Sequence, residues 1–247
     1  MKKILKKSII ILTLLLFWQA SYYIFQVANP LLPAPLDIFT SLVELLATKE
    51  FYFDIFASLG RVLVGFFLAA SLGVPLGLWL GDKKEIGEYF LPLIEILRPI
   101  PPIAWIPVAI LLFGLGNSAA YFVIFLGAFF PIFSNAYLGA RSLPQIYKNV
   151  AATFEFSYWL YWREYVVKYA LPFIFTGLKI GLGMAWICVI AAEMMGSQSG
   201  LGYFVQINRL YLKTERMFSG IITIGLIGYL LSACLDAITR KIIKVKN

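Results

Sequence analysis

The sequence predicts an all-α membrane protein of six transmembrane helices, with an extra helical element between the fourth and fifth. Three observations carry that prediction. Of 247 residues, 61% are hydrophobic and only 14% are charged, far more apolar than a soluble domain needs. The apolar residues fall in runs long enough to cross a bilayer, for which about 20 mostly apolar residues suffice. A single hydrophilic stretch, residues 141–168 (RSLPQIYKNVAATFEFSYWLYWREYVVK), interrupts the second half.

Taken in order, residues 8–27 follow four lysines, and Gln19-Ala20-Ser21 is followed by Tyr22, Tyr23 and more apolar sequence instead of ending as an A-x-A cleavage site would. An uncleaved first span is therefore expected rather than a secretory signal. Pro30, Pro33 and Pro35 make an extended entry to an amphipathic helix that begins at Asp37 and lies at the membrane interface. The second span is 55–80, with Gly60, Gly65, Gly73 and Gly77 spaced for close helix approach. A polar turn, 81–85, leads to a third span, 86–113, interrupted by Pro92, Pro99, Pro101, Pro102 and Pro107. Gly114 to Ser118 form a tight turn, and the fourth span, 119–140, is broken by Pro131. The 141–168 stretch reads as a proline-started helix, a break near 155–157 and a second, aromatic-rich helix. The fifth span is 169–195, a polar connection covers 196–215, and the sixth span is 217–239. All of this forms one transmembrane domain, residues 1–247.

The formal charge of +8 follows topology rather than a nucleic-acid footprint. With the N-terminus inside, fourteen Lys and Arg fall in inner segments. Five (Lys49, Arg61, Arg209, Lys213, Arg216) fall outside. Both termini and the 141–168 stretch are therefore expected in the cytoplasm.

Catalysis is improbable on composition. The chain has no histidine, so the commonest metal ligand and general base is missing. It has no phosphate-cradling G-x-x-x-x-G-K-[ST] motif, and its carboxylates are scattered rather than paired. Cys188 and Cys234 sit in apolar runs and read as buried small hydrophobes. We expect no catalytic residue, no metal and no cofactor in this chain.

Ionisable groups within apolar spans are expensive and often functional. Glu193, just before Gly196-Ser197-Gln198-Ser199-Gly200, is the best candidate for a gate or path residue, with Ser197 beside it. Glu95 and Arg98 share a helix face and pair on spacing alone; Asp236 and Arg240 read as a structural pair, and Lys179 as a snorkelling side chain. The prolines around Pro101 prevent a regular helix. Backbone freed at membrane depth must be buried in protein or face water, so Arg98 and Pro101 either line a conduit or form a packed kink.

Three blocks of the sequence, SLGRVLVGFFLAASLGVPLGLWLG, LRPIPPIAWIPVAILLFGLGNSAAYFVIFLGAFFPIFSNAYLGA and TGLKIGLGMAWICVIAAEMMGSQSGLGYFV, resemble permease subunits of binding-protein-dependent ABC importers. The similarity is greatest to the nitrate, sulfonate and taurine branch and runs from Pro33 to Lys241. It implies a permease homodimer in a bacterial cytoplasmic membrane, two cytoplasmic ATPase subunits that hold the ATP and Mg, and an extracytoplasmic solute-binding protein. No nucleic-acid partner is implied. The implied function is ATP-driven import of a small solute such as a sulfonate, taurine, nitrate, bicarbonate or a pyrimidine-type compound.

The resemblance also places the family's ATPase-coupling motif on the 141–168 stretch. Ala151, Thr153, Phe154, Ser157 and Trp159 fit it; Asn149, Val150, Glu155 and Lys168 stand where Glu, Ala, Gly and Pro are usual. Glu155 is the informative departure, because a hinge there calls for a left-handed residue, which costs most L-residues about 1–2 kcal/mol. Two other classes compete with this reading. An ATPase-independent secondary transporter or channel would be expected to show inverted repeats or paired midplane carboxylates. A membrane scaffold would require neither proline-broken spans nor a cytoplasmic helix pair.

Overall fold

The computed structural model describes residues 13, 16–23 and 32–244. Residues 16–23 are helical, and the rest of the expected first span, 8–27, lies outside the described residues apart from residue 13. Among the described residues every regular element is a helix.

Helix α1 (Pro35–Leu46) starts on a proline, which presets its first φ angle, and the Ala34 amide donates to the Asp37 carboxylate at 3.3 Å. Its two faces divide the apolar residues. Ile38 and Leu45 are buried, while Leu36, Phe39, Val43 and Leu46 are exposed, which suits a helix lying between protein and lipid.

Helix α2 (Lys49–Asp82) has 34 residues and is about 50 Å long, longer than the bilayer core. Helix α3 (Lys84–Leu97) follows after a single junction residue. It and α4 (Ile106–Phe113, preceded by the 3-10 turn Pro102–Trp105) do not make the continuous third span that the sequence suggests. The two limbs are bent by 80° across residues 98–101, where Pro99 and Pro101 lack amide donors and Pro102 holds Pro101 before it extended, at φ −58 and ψ 130. Gly114 and Gly116, both at positive φ, turn the chain into α5 (Asn117–Arg141). Pro131 lies inside α5 without interrupting it, so the break expected there is absent.

Helix α6 (Gln145–Thr153) is short. Helix α7 (Tyr158–Gly196) has a π turn at Trp162–Val166 before its long apolar run. The connection expected over 196–215 contains a helix, α8 (Leu201–Leu210), and α9 (Thr214–Lys244) closes the described chain.

The architecture is a three-helix wall with α5 in the middle, packed along its length against α2 on one side and α7 on the other. Its core runs through Val62, Phe66, Ala69, Ile124, Ala128, Ile132, Ala185 and Val189. The α2–α5 seam is close because α2 presents glycines there. A Cβ at Gly77 would stand 2.6 Å from the Phe133 carbonyl oxygen and 2.8 Å from the Ala136 Cβ. Of the four glycines singled out for close approach, Gly65, Gly73 and Gly77 serve it, but Gly60 has open space around it. Cys188 is buried, whereas Cys234 is exposed on α9, which contributes little to the core: 6% of its apolar window is buried.

Among the described residues four helices (α2, α5, α7 and α9) are long and apolar enough to cross a membrane, or five if the bent α3–α4 pair counts as one. The wall has two ends. One carries α6 and the C-terminus of α2; the other carries α8 and the start of α5.

Candidate functional site

Two polar clusters lie toward the two ends of α2, and Arg61 of one stands about 30 Å from Asp82 of the other at 1.5 Å per residue. That distance matches the thickness of a bilayer's hydrocarbon core.

At the α8 end, Asp54, Ser58 and Arg61 fall on one face of α2 at spacings of four and three. All three reach toward the α7–α8 connection. Glu193 of α7 is fully buried, and Arg61 nearly so. Arg61 Nη1 donates to Glu193 Oε1 at 2.7 Å and to the Ser199 carbonyl at 2.8 Å. Its Nη2 donates to Ser199 Oγ at 2.7 Å and its Nε to Asn117 Oδ1 at 2.8 Å. The Ser58 hydroxyl donates to the Glu193 carboxylate, 2.8 and 2.9 Å from its two oxygens.

These groups also satisfy the start of α8, whose first amides have no partner within the helix. Gly200 N–H donates to Asp54 at 2.7 Å, Leu201 N–H to Ser58 Oγ at 2.8 Å and Gly202 N–H to Glu193 Oε2 at 2.9 Å. Two carboxylates thus face the positive end of a helix dipole, the favourable sign. Gly200 has φ +104, and a Cβ there would run into the Glu193 carboxylate. A cavity of about 430 Å³ opens in front of this cluster, lined by Arg61, Asn117, Ser197 and Ser199 among others. Glu193 stands behind those residues, and Ser197 Oγ is buried without a partner.

At the α6 end lies the stretch that sequence reasoning singled out. Helix α6 ends in a Schellman turn: Phe156 N–H donates to the Ala151 carbonyl at 2.9 Å and Glu155 N–H to the Ala152 carbonyl at 3.2 Å. Glu155 has φ +50, so the left-handed hinge is kept although glycine is not. Phe156 packs into the cluster that buries Ala151, the apolar contact that accompanies this motif. Ser157 then caps α7, accepting from Leu160 N–H at 3.3 Å. Asn149, Thr153, Glu155, Ser157 and Trp159 are exposed, Val150 is half-buried and Ala151 is buried. Lys168 is paired with Glu164. Because Glu155 is exposed and left-handed, Glu155→Gly is expected to stabilise the protein by about 1 kcal/mol, read as a raised unfolding midpoint in detergent.

Asp82, the last residue of α2, was not anticipated. It is buried and binds Lys148 of α6 at 3.1 Å and the Tyr161 hydroxyl of α7 at 3.0 Å.

Other expected placements change. Asp236 pairs with Lys179 at 2.7 Å rather than with Arg240, because α9 lies beside α7 there. Among the described residues no ion pair joins Glu95 to Arg98. Arg98 and Pro101 are exposed at the α3–α4 bend, and Arg98 has no hydrogen bond to Glu193 or Ser197. The four path candidates therefore divide between two places.

Fold and clusters together define an integral membrane transport scaffold: long apolar helices with a polar joint at each end. The chain belongs to the family described as binding-protein-dependent transport system inner membrane component, whose pattern matches residues 73–244. It is a permease of the ABC transporter class. It is 33% identical over 247 residues to SsuC of Bacillus subtilis (strain 168), assigned by its name to aliphatic sulfonates transport; the match covers 100% of this chain and 88% of that protein. It is also 33% identical over 238 residues to the nitrate import permease protein NrtB of Synechocystis sp., covering 93% and 86% of the two chains. Among solved structures, a chain of the MetNI methionine ABC transporter in inward-facing form superposes with a TM-score of 0.66 at 19% identity. That match covers 85% of this chain and 99% of the other and supports the fold. The channel or secondary-transporter reading is not favoured by these matches.

Proposed function

We propose that this chain, as a homodimer, forms the path for ATP-driven import of a small oxyanion of the sulfonate or nitrate kind. The solute is delivered by an extracytoplasmic binding protein, and ATP and Mg are held by two cytoplasmic ATPase subunits. The α6 end faces the cytoplasm with both termini, as the distribution of Lys and Arg favours. The solute class follows from the named relatives, SsuC and NrtB.

The observation that carries the coupling assignment is the turn between α6 and α7. Phe154 and Trp159 are 68% and 69% exposed on a hinge that a left-handed residue and a Schellman turn hold in shape. Large aromatic side chains presented on an ordered, uncovered turn are what a protein partner covers. The docking surface comprises Asn149, Thr153, Phe154, Glu155, Ser157 and Trp159, with Val150 and Ala151 holding it from beneath. At the opposite end, Glu193 and Arg61 hold α8 at the outer mouth, with Ser197 on the cavity wall. Arg98 and Pro101 line the path at the α3–α4 bend. Movement of the turn by the ATPases is passed through rigid helices to that mouth, giving alternating access.

Proteoliposomes that hold the permease, its ATPase and its binding protein are expected to take up nitrate or ethanesulfonate only with all three proteins and Mg-ATP. Phe154→Asp and Trp159→Asp are expected to lower co-purification of the ATPase by about tenfold or more, the scale of an aromatic anchor lost from an interface. Uptake without the ATPase, or normal assembly and stimulated ATP hydrolysis in both variants, contradicts the proposal.

A further inference from the structure

We propose that Asp82 is the positioning residue that fastens α6 to α2 and so passes movement of the 154–159 turn into the membrane wall. This rests on the reading of that turn as the ATPase-facing element.

Helix α6 has little else to hold it. It makes no extended packing with another helix, and Ala151 is its only buried residue. Tyr147 lies against Tyr165 and Tyr169, with ring centroids 5.6 and 6.4 Å apart, but such contacts slide. The directional tie is Lys148, whose Nζ lies 3.1 Å from the Asp82 carboxylate and 3.2 Å from the Asp82 carbonyl. The same carboxylate accepts from Tyr161 in the first turn of α7. One side chain therefore joins three helices at the point where the chain leaves α2.

The location of the carboxylate is itself informative. A helix C-terminus carries partial negative charge, so an acidic residue there is unfavourable by about 0.3–1 kcal/mol. Asp82 occupies that position and is also buried. Lys148 answers both charges, bonding the carboxylate and the terminal carbonyl together. Lys83 turns away to lie over the Tyr158 ring at 4.8 Å. A cavity of about 350 Å³ opens beside the joint, between Lys83, Lys148, Phe156 and Tyr158, so the tie is not locked by packing on that side. Upward from Asp82, α2 has no slack against α5, and it ends in the Asp54–Ser58–Arg61 cluster that holds α8. A displacement of Asp82 along α2 is thus delivered to the other face of the membrane.

The test uses the full complex in proteoliposomes, with nitrate and ethanesulfonate as solutes. Asp82→Asn keeps the shape but removes the charge. Lys148→Met removes the other half, and Asp82→Asn/Lys148→Met, which strands no buried charge, guards against misfolding of either single variant. Each is expected to keep the ATPase bound and hydrolysing, while solute imported per ATP falls about tenfold, a usual size for coupling between sites. The double variant is expected to be no worse than Asp82→Asn alone, because both act on one contact. Normal import per ATP in either single variant overturns the proposal, and so does a loss that only tracks lower stability or assembly. Phe154→Asp separates the two claims. If it and Trp159→Asp both leave the ATPase bound, the reading of the turn fails; if they release the ATPase while Asp82→Asn imports normally, only the joint fails.

Discussion

Replacing Arg61 by Met is expected to destabilise the protein by about 3–5 kcal/mol, the usual cost of stranding one partner of a buried ion pair. Among the described residues the guanidinium is the only cation on the Glu193 carboxylate, at 2.7 Å, and it spans three segments through Asn117, Glu193 and Ser199. Without it a fully buried charge keeps only Ser58 and the Gly202 amide. The measurement is the unfolding midpoint of purified protein in detergent. Converting Glu193 to Gln in the same molecule removes the stranded charge while keeping an acceptor for Gly202, so Arg61→Met/Glu193→Gln is expected to recover most of the loss. If Arg61→Met alone stays within about 0.5 kcal/mol of the wild type, the level of an ordinary surface change, the cluster does not hold α8.

The second large effect concerns the α2–α5 seam. Gly77→Leu is expected to cost about 3 kcal/mol or more, the upper part of the range for overpacking. Its first carbon already meets a backbone oxygen and a rigid alanine methyl, neither of which can rotate aside. Gly60→Ala is the matched control on the same helix. With nothing within 4 Å of the added carbon, it should be neutral or stabilising by up to about 1 kcal/mol through helix propensity. The yield of monodisperse protein and its thermal midpoint read both. Equal behaviour of the two variants would falsify the close seam.

Much of this fold is legible in the sequence because membrane helices announce themselves locally. The runs behind α2, α5, α7 and α9 are continuous, so their existence follows from composition alone. Glu155 was legible as a position where a left-handed residue is expected, but that a glutamate holds φ +50 there emerges only from the structure. Proline was a poorer guide. Pro131 rides inside a helix, whereas residues 98–101 break one, because there Pro99, Pro101 and Pro102 crowd four positions and Pro102 holds Pro101 extended.

The polar clusters were hidden for a different reason. Arg61 and Glu193 are 132 residues apart, and nothing local states that they meet. One signal was available: Asp54, Ser58 and Arg61 recur at helical spacing within an apolar run, a polar stripe that requires a partner. Counting Arg61 as an outer loop charge concealed it. Asp82 read as part of a polar turn because its burial comes from α6 and α7, which pack over it only in three dimensions. Helix α8 was missed because its capping groups belong to α2 and α7 rather than to its own sequence.

The glycine seam has a consequence for where this molecule can flex. Two helices whose backbones touch cannot shear past each other without collision, so α2 and α5 bear load as a single beam. Bending must then be taken up in connections outside that beam: the proline corner at 98–101, the turn at 154–157 and the elbow at 197–200. Each of these three places carries a residue that an ordinary helix would reject, a proline, a left-handed glutamate or a glycine at φ +104. The conformational range of this subunit is thus set by three short corners around a stiff bar.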